Sequence, residues 1–142
     1  MIKTVQKTVG MPAHPRHLNE VRHLIEETLR EAGVPKRTAD LLVLAVDEAM
    51  SSIVHYAKFK GQETEITLSV DVDDVRFKAR IVDATNVFDL DRAIADAVRP
   101  EAIERERAYG LGVFLMRQIF DEILYTYRKG FENELVLIRF LE

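Results

Sequence analysis

The sequence contains no cysteine among its 142 residues. This absence excludes disulfides, thiolate metal sites and a cysteine nucleophile, and it fits a reducing compartment. No apolar run approaches the roughly 18 residues needed to cross a bilayer, and the first residues lack the apolar stretch of a signal peptide. We therefore expect a soluble, cytoplasmic protein without a membrane partner.

An excess of positive charge is also missing, because the formal net charge is −4 and the two signs are interspersed. Proteins that bind nucleic acid need a basic surface for the phosphates, so nucleic acid is not an expected partner.

Hydrophobic residues make up 47% of the chain, enough to fill one core at this length. We expect a single domain over residues 1–142.

Hydrophobic periodicity predicts an edge strand and two helices in the first part of the chain. Ile2 to Val9 alternates imperfectly, and Gly10-Met11-Pro12 is predicted to end this strand. Pro15 to Ala32 has helical spacing, and Gly33 is a stop signal. Pro35 opens a second helix, whose continuous apolar content predicts burial on most sides.

The remainder predicts two hairpins, separated by a polar segment and a buried helix. The strands are rich in β-branched residues, and Asp73-Asp74 is the turn of the first hairpin. The predicted fold class is α+β, a two-layer sandwich with helices on one face of a mixed, mostly antiparallel sheet. The predicted strands are Glu63 to Val72, Val75 to Val82, Leu124 to Arg128 and Glu134 to Leu141, and the helix is Val113 to Phe120.

Three segments have the residue types of a binding or catalytic site. Glu48 falls on a largely apolar stripe of the second helix, where a carboxylate usually lines a cleft, meets a cation or has a raised pKa. The alternative is a boundary residue that caps a neighbouring turn or pairs with an arginine. Asp83 follows a predicted strand and can accept a hydrogen bond from a ligand amino group, although Asp and Asn are also ordinary turn residues.

The third segment is Gly110-Leu111-Gly112 at the start of a helix. Glycines there let backbone N–H groups approach a phosphate, although a lone Gly-x-Gly is a common accident. Neither the Rossmann nor the P-loop pattern occurs in the chain. The arginines that precede this segment, Arg99, Arg105 and Arg107, lie among glutamates, so charge alone favours a solvated, salt-bridged helix.

In this order and spacing, the three segments resemble the signature boxes of the GHKL ATPases, and most closely those of bacterial anti-sigma-factor serine/threonine kinases. The similar motifs are Ala45-Val46-Asp47-Glu48-Ala49, then Asp83 to Asp89 ending in Phe88-Asp89, then Gly110-Leu111-Gly112 with Asp121-Glu122 after the helix. The resemblance runs from about Thr4 to Leu141, and the joint occurrence of the motifs makes it specific.

The resemblance implies a Bergerat-type GHKL fold and a role for each matched residue. Glu48 would be the general base that accepts the proton of a serine or threonine hydroxyl. Asp83 would bind the adenine amino group, and Gly110, Leu111 and Gly112 would lie against the phosphates of ATP. The segment from about residue 89 to 109 would be the ATP lid, from which Arg105 or Arg107 reaches the γ-phosphate.

Two positions differ from the family pattern. Ser52 stands where the family has the asparagine that binds Mg²⁺, and a hydroxyl is a weaker metal ligand than an amide carbonyl. Thr85 stands where a glycine faces adenine, and its Cβ restricts the backbone. Binding of the two cofactors that the family implies therefore depends on these positions: Mg²⁺ on the Ser52 hydroxyl, and ATP on the space that Thr85 leaves for adenine.

Three functions follow as hypotheses. The first is a kinase that binds a sigma factor and phosphorylates its antagonist protein in a partner-switching pathway, as a homodimer like its relatives. The second is a non-catalytic GHKL module that acts only by protein binding, which Ser52 and Thr85 favour. The third is the ATPase part of a sensor histidine kinase, which is disfavoured because no dimerisation helix with a phosphoacceptor precedes the domain.

Overall fold

The computed structural model describes residues 2–59, 65–83, 116–126 and 132–141, and for residues 55–59 it describes the backbone alone. Residues 116–119 form a helical turn before the fourth strand. The elements, in chain order, are β1 (Val5–Pro12), a 3-10 turn (Pro15–His17), α1 (Leu18–Ala32), α2 (Lys36–Phe59), β2 (Glu65–Val72), β3 (Arg76–Asp83), β4 (Glu122–Thr126) and β5 (Asn133–Phe140).

The five strands form one sheet in the order β1-β2-β3-β5-β4. All four neighbouring pairs are antiparallel. The predicted α+β class with a mostly antiparallel sheet is therefore confirmed, and the described strands include no parallel pair. The reason is topological: β5 returns from β4 and pairs with β3 on its other side, so no described neighbours run in the same direction.

One face of the sheet carries the core. Side chains alternate between buried and more exposed along β2 and β3, as expected for strands with one covered face. Phe77 of β3 is fully buried, and its ring stacks on Phe120 with centroids 6.4 Å apart. One hydrophobic cluster joins this face to the helices, and from α1 it includes Val21, Ile25, Leu29 and Ala32.

The end of α1 confirms the predicted glycine stop. Gly33 adopts a left-handed conformation with φ 83°, and its N–H donates to Arg30 O at 3.1 Å. The N–H of Val34 donates to Leu29 O at 3.0 Å, which completes a Schellman motif. Val34 and Leu29 are both buried, so the turn also directs the chain from α1 into α2 across the core.

The first strand continues further than predicted. Gly10-Met11-Pro12 was expected to end it, but β1 pairs with β2 as far as Pro12, which lies opposite Glu65. The prediction was wrong because β1 is an edge strand, where a proline without an N–H breaks no hydrogen bond that the sheet needs. Met11 is buried as a result, and it anchors this end of β1 on the core.

The predicted turn between β2 and β3 is confirmed. Asp73 Oδ1 accepts hydrogen bonds from the N–H groups of Val75 and Arg76, both at 2.8 Å. These two bonds favour the ionised carboxylate and lower the pKa of Asp73.

No helix within the described ranges has the length and apolar character required to cross a membrane.

The two described glycines predict opposite responses to alanine. Gly33→Ala places a Cβ in the left-handed region and should lower the free energy of unfolding by about 1 kcal/mol. Gly10 lies in β1, where an added Cβ meets no atom within 4 Å, so Gly10→Ala should be neutral or slightly stabilising. Urea unfolding followed by circular dichroism measures both variants, and equal effects would contradict this assignment.

Candidate functional site

Glu48 lies on α2 at the border between the buried and the exposed sides of the helix. Ala45 and Ala49, on either side of it in sequence, are fully buried. Leu44, one helical turn earlier, is 44% exposed, and Leu41 is 43% exposed. Because residues three or four apart share a helix face, Glu48 continues an apolar but accessible ridge. The stripe that the sequence predicted runs from the accessible Leu41 to the buried Ala45 and Ser52, so Glu48 lies at the edge of the core.

Burial is the main influence on the Glu48 carboxyl. Desolvation raises its pKa above the ordinary value, and the negative charge of Asp47 raises it further. The positive charge of Arg22 acts in the opposite direction. A carboxylate whose pKa is raised while it remains partly accessible has the properties of a proton acceptor, because its basicity is closer to neutral pH.

The residue that pairs with an arginine is Asp47 and not Glu48. Arg22 of α1 donates from Nε to Asp47 Oδ1 at 2.9 Å and from Nη1 to Asn19 Oδ1 at 2.6 Å. The Asp47 side chain is only 15% exposed, so the ion pair joins the two helices at a half-buried position. Sequence reasoning missed this pair, because nothing in the local pattern of α1 distinguishes Arg22 from a surface arginine.

Ser52 lies one turn after Glu48 and is buried, with 1% of its surface exposed. Its hydroxyl donates to the backbone carbonyl of Glu48 at 2.9 Å, a common arrangement for serine within a helix. Its oxygen keeps lone pairs, but the side chain is directed along the helix. Within the described residues, no three His, Asp or Glu side chains are grouped in a way that would hold a metal ion.

Asp83 is the last residue of β3 and is buried, with 2% exposure. It lies opposite Asn133, the first residue of β5, which is equally buried. Two buried polar side chains thus meet at one end of the sheet. Sequence reasoning identified Asp83 but missed Asn133, whose only signal was a polar residue at the start of an otherwise apolar strand. A buried carboxylate at a strand end is chemically suited to an amino group of a ligand.

Several predicted site residues lie outside the described ranges. Of those that lie inside these ranges, Glu48 and Ser52 are brought together on one turn of α2, and Asp83 lies at the end of β3. Their roles, like those of the residues outside the described ranges, stay predictions. The predicted residues outside the described ranges are Thr85, Arg105, Arg107, Gly110, Leu111 and Gly112, together with the lid at about 89–109.

Two helices lie on one face of an antiparallel sheet, with Glu48 on the second helix and the buried Asp83 at a strand end, which is the arrangement that the resemblance to the GHKL ATPases predicts. Residues 11–139 match the model of the histidine kinase-like ATPase domain. The chain belongs to this family. The match covers nearly all of the chain, including α2, Asp83 and the final strand.

Curated relatives place the chain near one branch of the family. It is 30% identical over 127 residues to the serine-protein kinase RsbW of Listeria innocua, a match covering 87% of this chain and 80% of that protein. It is 23% identical over 123 residues to RsbW of Bacillus subtilis, covering 84% and 77% of the two chains. These findings support the resemblance to anti-sigma-factor kinases.

A solved structure is similar in fold. The crystal structure of the SiaB-SiaC complex from Pseudomonas aeruginosa contains a chain that superposes with a TM-score of 0.71. The match covers 94% of this chain and 88% of that one, at 16% sequence identity. At this identity the similarity concerns the fold, and it confirms the two-layer α+β architecture.

The raised pKa of Glu48 predicts a pH-dependent stability effect of Glu48→Gln. The folded protein binds this proton more tightly than the unfolded chain, so ionisation of Glu48 costs stability as the pH rises from 4.5 through the folded-state value. Glu48→Gln removes that cost. It should raise the melting temperature at pH 8 and lose this advantage below about pH 4.5.

Thermal unfolding of both proteins across this pH range measures the effect. Asp40→Asn serves as the control, since Asp40 is an exposed residue of the same helix. A stabilisation by Glu48→Gln that is equal at pH 4 and pH 8 would show that the Glu48 proton is not responsible.

Proposed function

We propose that the chain is an ATP-dependent serine/threonine protein kinase that phosphorylates an antagonist protein and binds a sigma factor in a partner-switching pathway. It would act in the cytoplasm as a homodimer. The observation that carries the proposal is Glu48: a partly accessible carboxylate with a raised pKa, next to the Arg22–Asp47 ion pair. The names of the RsbW relatives, serine-protein kinases, support the reaction type.

In the proposed reaction, the hydroxyl oxygen of the partner's serine or threonine attacks the γ-phosphorus of ATP. The bond from that phosphorus to the β–γ bridging oxygen breaks, ADP leaves, and Glu48 accepts the hydroxyl proton. The Arg22–Asp47 pair holds the first turns of α1 and the middle of α2 together, so the Glu48 carboxylate is positioned by a fixed helix.

The remaining roles follow the same proposal. Asp83 accepts a hydrogen bond from the adenine amino group, with Thr85 beside the ring. Gly110, Leu111 and Gly112 donate backbone N–H groups to the phosphates, and Arg105 or Arg107 stabilises charge on the γ-phosphoryl group. Mg²⁺, when bound with ATP, would neutralise phosphate charge, and the Ser52 hydroxyl would be its ligand from the protein.

One observation favours a second candidate, a module that binds partners without catalysis. The Ser52 hydroxyl is buried and donates to Glu48 O. To bind a metal ion, the Ser52 hydroxyl would have to give up this hydrogen bond and turn away from the helix backbone. Mg²⁺ requires near-ideal octahedral geometry, which a ligand held in this way does not provide. If the metal is held too weakly, the same fold would sequester a partner protein without phosphoryl transfer.

Nucleotide binding separates the two candidates. Isothermal titration with ATP and Mg²⁺ should give saturable heat for the wild type, and Asp83→Asn should strongly weaken binding. A neutral amide is a weaker acceptor than a carboxylate, and one of its two positions is a donor that cannot pair with the adenine amino group. Asp71→Asn is the matched control, since Asp71 lies on the neighbouring strand β2. Absence of binding at millimolar nucleotide would leave only the protein-binding module.

Phosphoryl transfer tests the base directly. Glu48→Gln should reduce transfer to the cognate antagonist by about 10²- to 10⁴-fold, the usual contribution of a general base, while nucleotide binding stays close to that of the wild type. Radiolabelled phosphate on the partner, together with the ATP titration, measures both quantities. Transfer at the wild-type rate would exclude Glu48 as the base.

A further inference from the structure

The exposed side of α2 before Glu48 carries an ordered row of side chains, called here the α2 ridge. Residues three or four positions apart share one face of a helix, and four residues of α2 follow one another at such intervals. The ridge therefore leads from the start of α2 to the carboxyl that we propose as the base. Its members are Arg37, Leu41, Leu44 and Glu48.

The middle of the ridge is apolar and accessible. Leu41 is 43% exposed and Leu44 is 44% exposed, whereas the neighbouring residues Leu42, Val43 and Val46 are buried. The buried neighbours hold α2 on the core, so the exposed parts of the two leucines face solvent. Because Leu41 and Leu44 lie on adjacent turns, they form one apolar surface next to Glu48. Apolar surface bordered by charges is typical of a protein interface.

The end of the ridge far from Glu48 is positively charged. Arg37 is exposed and makes no ion pair with another residue in the described part of the chain. Its neighbours Lys36 and Asp40 pair with each other, with Nζ and Oδ2 3.3 Å apart. The Arg37 guanidinium thus has no described counterion, and a carboxylate of a partner protein would supply one.

We propose that the α2 ridge docks the protein whose hydroxyl is deprotonated by Glu48. The docked surface has three parts in a row: the acceptor serine or threonine, apolar side chains beside it, and a carboxylate at the far end. An α-helix rises 1.5 Å per residue, so the partner's carboxylate lies about 16 Å from its hydroxyl. The inference rests on the proposed function, and it adds the surface that selects the substrate.

The position of Glu48 decides which molecule occupies the ridge. Leu44 precedes Glu48 by about 6 Å along the helix axis. A hydroxyl within hydrogen-bond reach of the carboxylate brings its own protein over this turn. A folded protein that presents the hydroxyl therefore covers Leu44 as well, and the free charge of Arg37 favours an acidic one.

Docking on the ridge and proton transfer at Glu48 act on different steps. Contacts away from the reacting atoms hold the hydroxyl in position for attack. Contacts that are equally favourable before and during transfer lower KM and leave kcat unchanged. Loss of the ridge should therefore raise KM for the protein substrate, whereas loss of the base lowers kcat.

Removal of the two leucines tests the apolar part. Leu41→Ala/Leu44→Ala should raise KM for the antagonist protein of the Glu48 transfer assay by about tenfold, with kcat close to that of the wild type. Alanine suits exposed helical positions, and circular dichroism verifies the fold. The control is Val75→Ala, which removes apolar surface from a residue 57% exposed in the turn between β2 and β3. It should leave KM unchanged.

Charge reversal tests the far end of the ridge. Arg37→Glu should also raise KM by about tenfold, because like charges then meet. Lys78→Glu should have no such effect, since Lys78 lies between the core residues Phe77 and Ala79 of β3 and points away from the helices. Acidic residues near the phosphorylated residue of the antagonist are then changed to lysine one at a time. One of these changes should restore the KM of Arg37→Glu.

The possible results separate the alternatives. An unchanged KM in the leucine and Arg37 variants overturns the ridge but leaves the Glu48→Gln test intact, whereas a wild type without phosphoryl transfer overturns the proposed function as well. A KM raised by the leucine variant alone overturns the acidic part of the partner. Weaker ATP binding by the leucine variant would assign the ridge to the nucleotide site, and a loss of dimers in sedimentation would assign it to a second copy. Either result overturns docking of the phosphoacceptor.

Discussion

The structure depends on one hydrophobic contact, the packing of α1 and α2 on a single face of an antiparallel sheet. The cluster that joins them contains most of the fully buried side chains, such as Ile25, Met50 and Phe77. Because α2 is buried along one side and accessible along the other, a carboxylate in its middle occupies the boundary between core and solvent. The same packing that stabilises the fold therefore raises the pKa of Glu48.

Electrostatics at this boundary link the two helices. Asp47 has its own partner in Arg22, whose charge offsets part of the effect of Asp47 on the pKa of Glu48, and the adjacent Glu48 keeps its carboxyl available. Functional sites are often less stable than they could be, because a reactive group is kept in surroundings that do not suit it. Glu48 fits this rule, since burial disfavours its ionised form. In the kinase reaction that we propose, such an arrangement has a purpose, because phosphoryl transfer to a hydroxyl requires a proton acceptor.

The two faces of the sheet differ in composition. The covered face forms the core and places Asp83 beside Asn133 at one end of the strands. The face that turns away from the helices carries accessible apolar residues, Leu124 of β4 and Phe140 of β5, and charged residues of β3 and β4.

The sequence by itself determined the α+β class, the spans of α1 and α2 to within a few residues and the Gly33 stop, and it proposed Glu48 and Asp83 as candidate residues, because periodicity, turn chemistry and motif spacing are local properties. Tertiary structure decided what depends on distant contacts. It extended β1 through Pro12, because an edge strand tolerates proline, and it made the described sheet antiparallel. It also paired Arg22 with Asp47 and put Asn133 opposite Asp83, because residues 25 or 50 positions apart meet only when the helices and strands pack.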